Sequence, residues 1–320
     1  MIEFNNISKT FDLGGGFFSK EKKIIHALRD VSLTIKKGMT MGIVGESGSG
    51  KSTLARIFMG LYKPDTGYFK FSDFNSHNIS KEEWKTFRKQ AAMVFQDPYS
   101  SLNPRMKVLD ILQEPFLIHK KDFSISKEER LIKITKVLDM TGLEKGSLKK
   151  YPHEFSGGQR QRIGIARALV LKPRVLVLDE PVSALDVSIQ AQILNLLKEL
   201  KKELDLTYIF IAHDLGVIEY MSDRIAVMYL GSILEESAVK NIFSKPRHHY
   251  TKTLLNSMPD VQKKGKDFQV VPGEIPSPLN LPKGCPFEPR CAGAKENCGL
   301  LFPVETAGKN GYYKCHYPLN

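Results

Sequence analysis

Cysteine is missing from the first 284 residues of this 320-residue chain; Cys285, Cys291, Cys298 and Cys315 all fall in the remaining 36. No disulfide framework can therefore hold the body of the protein. In a cytosolic chain, thiols gathered at one end point to a metal before they point to disulfides. Long apolar runs are missing too. None approaches the ~20 residues of a bilayer-crossing helix. Met1-Ile2-Glu3-Phe4 has no basic stretch leading into an apolar one, so the expectation is a cytosolic address and no secretory leader. Acidic residues are outnumbered, 35 against 47 basic ones, for a net charge of +12. Such a charge invites nucleic acid or an anionic membrane surface. Yet pairs such as Lys36 and Lys37, Lys149 and Lys150, and Lys201 and Lys202 are scattered, with no interleaved aromatics to stack on bases. A solvated basic surface is expected and nucleic-acid binding is not. Docking beside an anionic inner leaflet is compatible with the charge without following from it.

The informative residues sit in short motifs. An apolar run, Met41 to Val44, leads into Gly45-Glu46-Ser47-Gly48-Ser49-Gly50-Lys51-Ser52-Thr53, and a helix-like stretch starts at Leu54. This is the phosphate loop G-x-x-x-x-G-K-S/T in a strand–loop–helix setting. Glycines let several backbone N–H groups converge on one phosphate cluster, and the helix N-terminus adds partial positive charge. Lys51 suits the β- and γ-phosphates and Ser52 suits Mg²⁺. The ligand class is a nucleoside triphosphate, with ATP and Mg²⁺ as the expected cofactors.

A second apolar run, Val175 to Leu178, ends in Asp179-Glu180. Acids at the end of a buried strand sit where α/β folds bind ligands. Asp179 is the candidate Mg²⁺ ligand and Glu180 the candidate general base for water. Between the two motifs, Ser156-Gly157-Gly158-Gln159 opens a helix expected from Ile163 to Val170. Small residues, N–H groups and a helix dipole make it a second anion-binding device.

The remainder reads as alternating elements. Ile2 to Ile35 carries strand patterns around an insertion, Gly14-Gly15-Gly16-Phe17-Phe18. Helices are expected over Leu54 to Leu61, Lys127 to Met140 and Ile189 to Leu204, and a buried strand over Tyr208 to Ala212. Strands alternating with helices imply a mostly parallel sheet covered on both faces. Beyond about Met258 the pattern changes. Nine of seventeen prolines lie in the last 65 residues, where helical periodicity fades. So small a segment needs a staple, which four thiols could supply.

In order along the chain, the phosphate loop, Gln96 in Val94-Phe95-Gln96-Asp97-Pro98, the Ser156–Gln159 string, the Asp179-Glu180 strand, Ser183-Ala184-Leu185-Asp186 and His213 resemble the full motif set of ATP-binding cassette (ABC) transporter nucleotide-binding subunits. The resemblance implies an α/β P-loop NTPase with a RecA-like core and a mixed or parallel sheet. An N-terminal antiparallel β subdomain, a helical signature subdomain and a small irregular C-terminal extension accompany that core. It divides the chain into a nucleotide-binding domain, 1–250, with the helical subdomain about 97–170, and an extension, 251–320. It gives Gln96 a place near Mg²⁺ and water, Asp186 a place at a dimer interface, His213 a γ-phosphate contact and Phe11 a stack on adenine, for which Phe17 and Phe18 compete. Each ATP would be held between the phosphate loop of one subunit and the signature of another.

Three longer strings narrow the resemblance: Phe95 to Arg105, Tyr151 to Phe155, and Asp179 to Gln192. They are similar to the ATPase subunits of bacterial oligopeptide/dipeptide importers, and His249-Tyr250-Thr251, Leu254-Leu255 and Met258-Pro259 resemble the start of that group's C-terminal extension. His248-His249 stands where His-Pro is usual. The implied partners are a second, different ABC ATPase, two transmembrane permease subunits and, indirectly, an extracytoplasmic binding protein. The implied location is the cytoplasmic face of the membrane. Cysteines in this tail hold a [4Fe–4S] cluster in some members. Four thiolates also suit zinc, though their spacings exceed zinc-ribbon pairs, and free thiols stay open. Import of nickel or metal chelates by the same branch is the alternative function. A non-transport ABC protein is less expected, because the chain has neither a long coiled-coil insertion nor a second cassette.

Overall fold

A computed structural model describes residues 1–14, 23–120, 122, 125–258, 273–308 and 310–320. Most of the glycine–phenylalanine insertion, with Phe17 and Phe18, lies outside the described residues, as does Pro259. The strands are β1 (Ile2–Asp12), β2 (Ile24–Ile35), β3 (Thr40–Val44), β4 (Thr66–Phe71), β5 (Phe74–Asn75), β6 (Ala91–Val94), β7 (Val175–Asp179), β8 (Thr207–Ile211), β9 (Arg224–Tyr229), β10 (Ser232–Ala238), β11 (Thr306–Gly308) and β12 (Gly311–Tyr313). The helices are α1 (Lys51–Phe58), α2 (Lys81–Gln90), α3 (Val108–Ile118), α4 (Lys127–Met140), α5 (Gly157–Leu169), α6 (Val187–Leu204), α7 (Leu215–Met221), α8 (Val239–Ser244), α9 (His249–Asn256) and α10 (Glu296–Leu300). They fall into two compact units, residues 1–79 with 211–320, and residues 80–210.

In the first unit β1, β2, β4 and β5 form an antiparallel sheet in the order β2-β1-β4-β5. Phe4 packs its ring 5.9 Å from Phe58 of α1, and Phe58 lies 5.1 Å from Phe69 of β4. All three are buried, and each such side chain stabilises the unit by roughly 1.5–3 kcal/mol. A second run of strands follows the order β11-β12-β10-β9-β3. Within it β3 and β9 are parallel, Met41 facing Arg224 and Val44 facing Val227, while β10 is antiparallel to both β9 and β12. The proline-rich tail therefore adds strands that its composition does not announce.

In the second unit β6 and β7 are parallel, Ala91 facing Val175 and Val94 facing Leu178, within the order β8-β7-β6. Every residue of β7 is buried, as a strand covered on both faces requires. Helices α3, α4 and α5 pack on one another, and Leu112, Phe116, Leu138 and Ile163 on them are buried. Ser126 and Glu129 form a capping box at the start of α4, which fixes its first turn where the sequence places it. Other expected boundaries shift. α1 begins at Lys51 rather than Leu54 because the end of the phosphate loop is its first turn, and α5 begins at Gly157, six residues before the apolar periodicity. Among the described residues no helix is long and apolar enough to cross a membrane.

Candidate functional site

The phosphate loop and His213 belong to the first unit; Gln96, Ser156–Gln159, Asp179, Glu180 and Asp186 belong to the second. Gly45–Thr53 connects the buried strand β3 to α1. Gly50 caps α1 with φ +102°, a conformation that side-chain-bearing residues avoid, and a Cβ there would run into the carbonyl of Ala27. Gly50 itself has no side chain with which to cap α1. Lys51 is 5% exposed; its ammonium donates to the carbonyls of Gly45 (2.8 Å) and Glu46 (2.9 Å) and to Ser49 Oγ (3.3 Å). A cation is thus held by two loop carbonyls and a hydroxyl at a helix N-terminus, the electrostatics an anionic ligand needs.

The loop has further partners in its own unit. Glu46, its second residue, receives a two-pronged ion pair from Arg290, at 2.7 and 3.0 Å. The backbone N–H of Glu46 donates to Tyr250 Oη at 3.0 Å. Sequence reasoning missed Arg290 and Tyr250. They lie 244 and 204 positions from Glu46, and no local pattern reports such a contact.

His213 is exposed, one residue before Asp214, whose carboxylate caps α7 by accepting from the N–H groups of Gly216 (2.7 Å) and Val217 (3.2 Å). The short cap anchors the loop that carries the histidine. Phe11 is half-buried on β1, with its ring edge-on to Tyr62 at 5.2 Å and Lys9 5.5 Å from its centroid.

In the second unit Asp179 ends β7 and is 3% exposed. Glu180 follows with φ +48°, a left-handed conformation uncommon outside glycine and asparagine, which turns the chain sharply at the strand end. Its carboxylate accepts from Gln96 Nε2 at 3.0 Å, which brings together two residues 84 positions apart. Its carbonyl accepts from Ser183 N–H (3.3 Å) and Oγ (3.1 Å), which tightens the turn. Asp186 is exposed at the N-terminus of α6 and makes no side-chain cap.

The Ser156–Gln159 string is a reciprocal capping box. Ser156 Oγ accepts from Gln159 N–H (3.3 Å), and Gln159 Oε1 accepts from Ser156 N–H (3.0 Å). That box starts α5 earlier than its apolar pattern does. A Cβ on Gly158 would press on Ile189 of α6, and one on Gly157 would sit 3.3 Å from Leu185, so small residues let α5 lie close to the Ser183–Asp186 turn. Ser156 and Gln159 remain exposed.

All four cysteines line one small cavity of about 10 Å³, with His248, His249 and His316. His248 caps α9 through Nδ1, which accepts from Tyr250 N–H at 3.0 Å. That bond leaves the proton on Nε2, 4.0 Å from Cys285 Sγ, and burial pushes the histidine down to about 3. Burial pushes Cys285 up to about 12 and also raises Cys291 and Cys315. Four thiols in one cavity have the right chemistry for a soft metal. Among the described residues no three His, Cys, Asp or Glu side chains are grouped to hold a metal ion. The iron–sulfur expectation lacks support. His249, at the departure from the usual proline, bonds the Tyr317 carbonyl through Nε2 at 3.0 Å.

Residues 28–183 match the family described as ABC transporter, and residues 234–298 match the one described as oligopeptide/dipeptide transporter, C-terminal region. The chain is 46% identical to the oligopeptide transport ATP-binding protein AppF of Bacillus subtilis, over 99% of this chain and 97% of that protein. It is 43% identical to the oligopeptide transport ATP-binding protein OppF of Haemophilus influenzae, over 98% and 95%. Among solved structures it resembles a dimeric ATP-binding cassette in a post-hydrolysis state bound to ADP and Pi. The TM-score is 0.65 with 34% identity, over 75% of this chain and 99% of the other.

Proposed function

We propose a function from one premise: the chain belongs to the ABC transporter family of ATP-binding proteins, in the oligopeptide/dipeptide branch. It is an ATPase that powers peptide import. One observation carries this conclusion. The phosphate loop with its helix shares a unit with residues 234–298, the region that matches the oligopeptide/dipeptide transporters. The relatives are named for peptide transport, which does not favour the nickel or metal-chelate reading.

The chemistry we assign is in-line attack of water on the γ-phosphate, driven by positioning and charge stabilisation. Backbone N–H groups of Gly45–Thr53 and the ammonium of Lys51 hold the phosphates. Lys51 exchanges its bonds with the loop carbonyls for phosphate oxygens. Glu180 takes a proton from water, and its bond from Gln96 keeps the carboxylate oriented. His213 contacts the γ-phosphate and Phe11 stacks on adenine. Ser52, Gln96 and Asp179 are the residues that would hold Mg²⁺, which neutralises phosphate charge when bound. Ser156–Gln159 and Asp186 act on the nucleotide of an opposing ATPase, so ATP closes a dimer and hydrolysis lets it open. We assign the opposing subunit to a second, different ABC ATPase. Two permease subunits complete the transporter, a binding protein delivers the peptide, and this chain works at the cytoplasmic face of the membrane. Residues 1–250 supply the nucleotide-binding domain, with its helical part about 97–170, and residues 251–320 the extension.

The test is reconstitution with the cognate companions in liposomes. The expected result is ATP-dependent uptake of a labelled peptide. With Glu180→Gln, ATP is retained but turns over at least ~100-fold more slowly. An assembled complex that neither binds nor splits ATP would overturn the reading.

A further inference from the structure

Glu46 poses a problem for a loop that binds phosphates. It puts a carboxylate in the second position of Gly45–Thr53, where its charge repels a triphosphate. The structure holds that carboxylate with the guanidinium of Arg290. Nη1 donates to Oε2 at 2.7 Å and Nη2 to Oε1 at 3.0 Å, the paired geometry that only arginine supplies. Arg290 is 6% exposed, and Nη1 also donates to Tyr229 Oη at 3.1 Å. The guanidinium lies 5.9 Å from the ring centroids of both Tyr229 and Phe287. The ion pair pushes the guanidinium further up from its already high range, so Arg290 stays charged.

The backbone of Glu46 is held independently. Its N–H donates to Tyr250 Oη, and Tyr250 packs 4.6 Å from Tyr229 and 5.1 Å from Phe287. All three rings are fully buried. Tyr250 and Arg290 both fall within residues 234–298, outside the matched ABC transporter segment. Two separate points of the C-terminal segment therefore grip one residue of the phosphate loop.

We propose that Arg290 is a positioning residue for the ATPase: by cancelling the charge of Glu46 and fixing its side chain, it sets the phosphate loop for triphosphate binding. Nucleotide affinity in this chain thereby depends on the C-terminal segment as well as on the loop. The inference rests on the reading of Gly45–Thr53 as the triphosphate cradle.

The experiment measures KM for ATP and kcat in the assembled transporter, together with MgATP binding and thermal melting of the full-length chain. Arg290→Gln is expected to raise KM about tenfold with kcat within about twofold, because a like charge is left unpaired near the phosphates. Adding Glu46→Gln to Arg290→Gln removes that charge and is expected to restore KM to within about threefold of wild type. Arg290→Lys, which keeps the charge and loses the fork, is expected to fall between. An unchanged KM in Arg290→Gln overturns the proposal. So does a double variant no better than the single one, the outcome if Arg290 only holds the tail together. Should Arg290→Gln not fold, Arg290→Lys is read alone against wild type: a raised KM supports the positioning role of the fork, and an unchanged KM overturns it. Lys51→Ala tests the underlying reading by itself: ATP binding that survives it removes the cradle, whatever Arg290 does.

Discussion

Two helices of this chain begin with glycine-rich motifs, and they solve the problem of a helix N-terminus in different ways. α1 starts at Gly50, which has no side chain to cap it and whose φ of +102° leaves no room for one. α5 starts at Ser156, whose hydroxyl is already paired with Gln159 in a capping box. The first start depends on a lysine folded back on loop carbonyls; the second is complete in itself. A helix N-terminus attracts anions in both cases. The difference is what the local chain already supplies. α1 gains most when a phosphate arrives, whereas α5 is preformed and can meet a ligand without rearranging.

Substitutions can break that comparison. Gly50→Ser would give α1 the kind of cap α5 has. Because its Cβ meets the Ala27 carbonyl, the loop must distort, and ATP affinity should drop at least ~100-fold in a nucleotide-binding titration. Gly158→Ala removes the close approach of α5 to Ile189; overpacking of this kind costs about 2 kcal/mol, read as a lowered urea midpoint. Ser156→Ala and Gln159→Ala each break half of the capping box and should lower stability alike, by about 1 kcal/mol. Only Ser156→Ala should also slow ATP hydrolysis in the assembled complex, by about tenfold, if the hydroxyl serves the opposing nucleotide. Equal hydrolysis in the two variants would reduce Ser156 to a cap.

A third helix start, that of α9, sharpens the contrast because its cap titrates. His248 accepts from Tyr250 N–H in its neutral form, with its pKa down to about 3 against an ordinary 6.5. Between those values the unfolded chain holds the proton that the folded chain refuses, so stability rises with pH across this window and is lost as pH falls below about 6.5. The slope contributed approaches about 1.4 kcal/mol per pH unit. His248→Asn, which keeps an acceptor and does not titrate, should flatten the fall in the urea midpoint between pH 6.5 and 5. An unchanged pH profile would locate the acid sensitivity elsewhere.

Much of this was legible in the sequence where the physics is local. Lys127–Met140 is the helix its periodicity indicates, and β7 and β8 match the apolar runs to within a residue at each end. The phosphate loop is read from spacing alone, since glycine conformation and helix dipole act within a few residues. Cap chemistry moved the start of α5, because the Ser156–Gln159 box outweighs the apolar repeat in setting where a helix nucleates. The tail was the least legible. Three-residue strands such as Gly311–Tyr313 carry no periodicity of their own and are defined by their partners, β10 on one side and β11 on the other. The grip of Arg290 on Glu46 was hidden for the same reason: a contact across 244 positions leaves no trace in a local pattern.

The pairing of β12 with β10 also has a consequence for how the chain comes to be folded. Residues 311–313 leave the ribosome long after β3, β9 and β10 have been made, and Arg290 long after Glu46. Until then β10 presents unpaired backbone groups, a ready template for wrong association, and the phosphate loop lacks its clamp. A nascent chain interrupted before residue 290 would thus be both sticky and poorly prepared for nucleotide. That links the moment of completing the sheet to the moment the ATPase becomes competent.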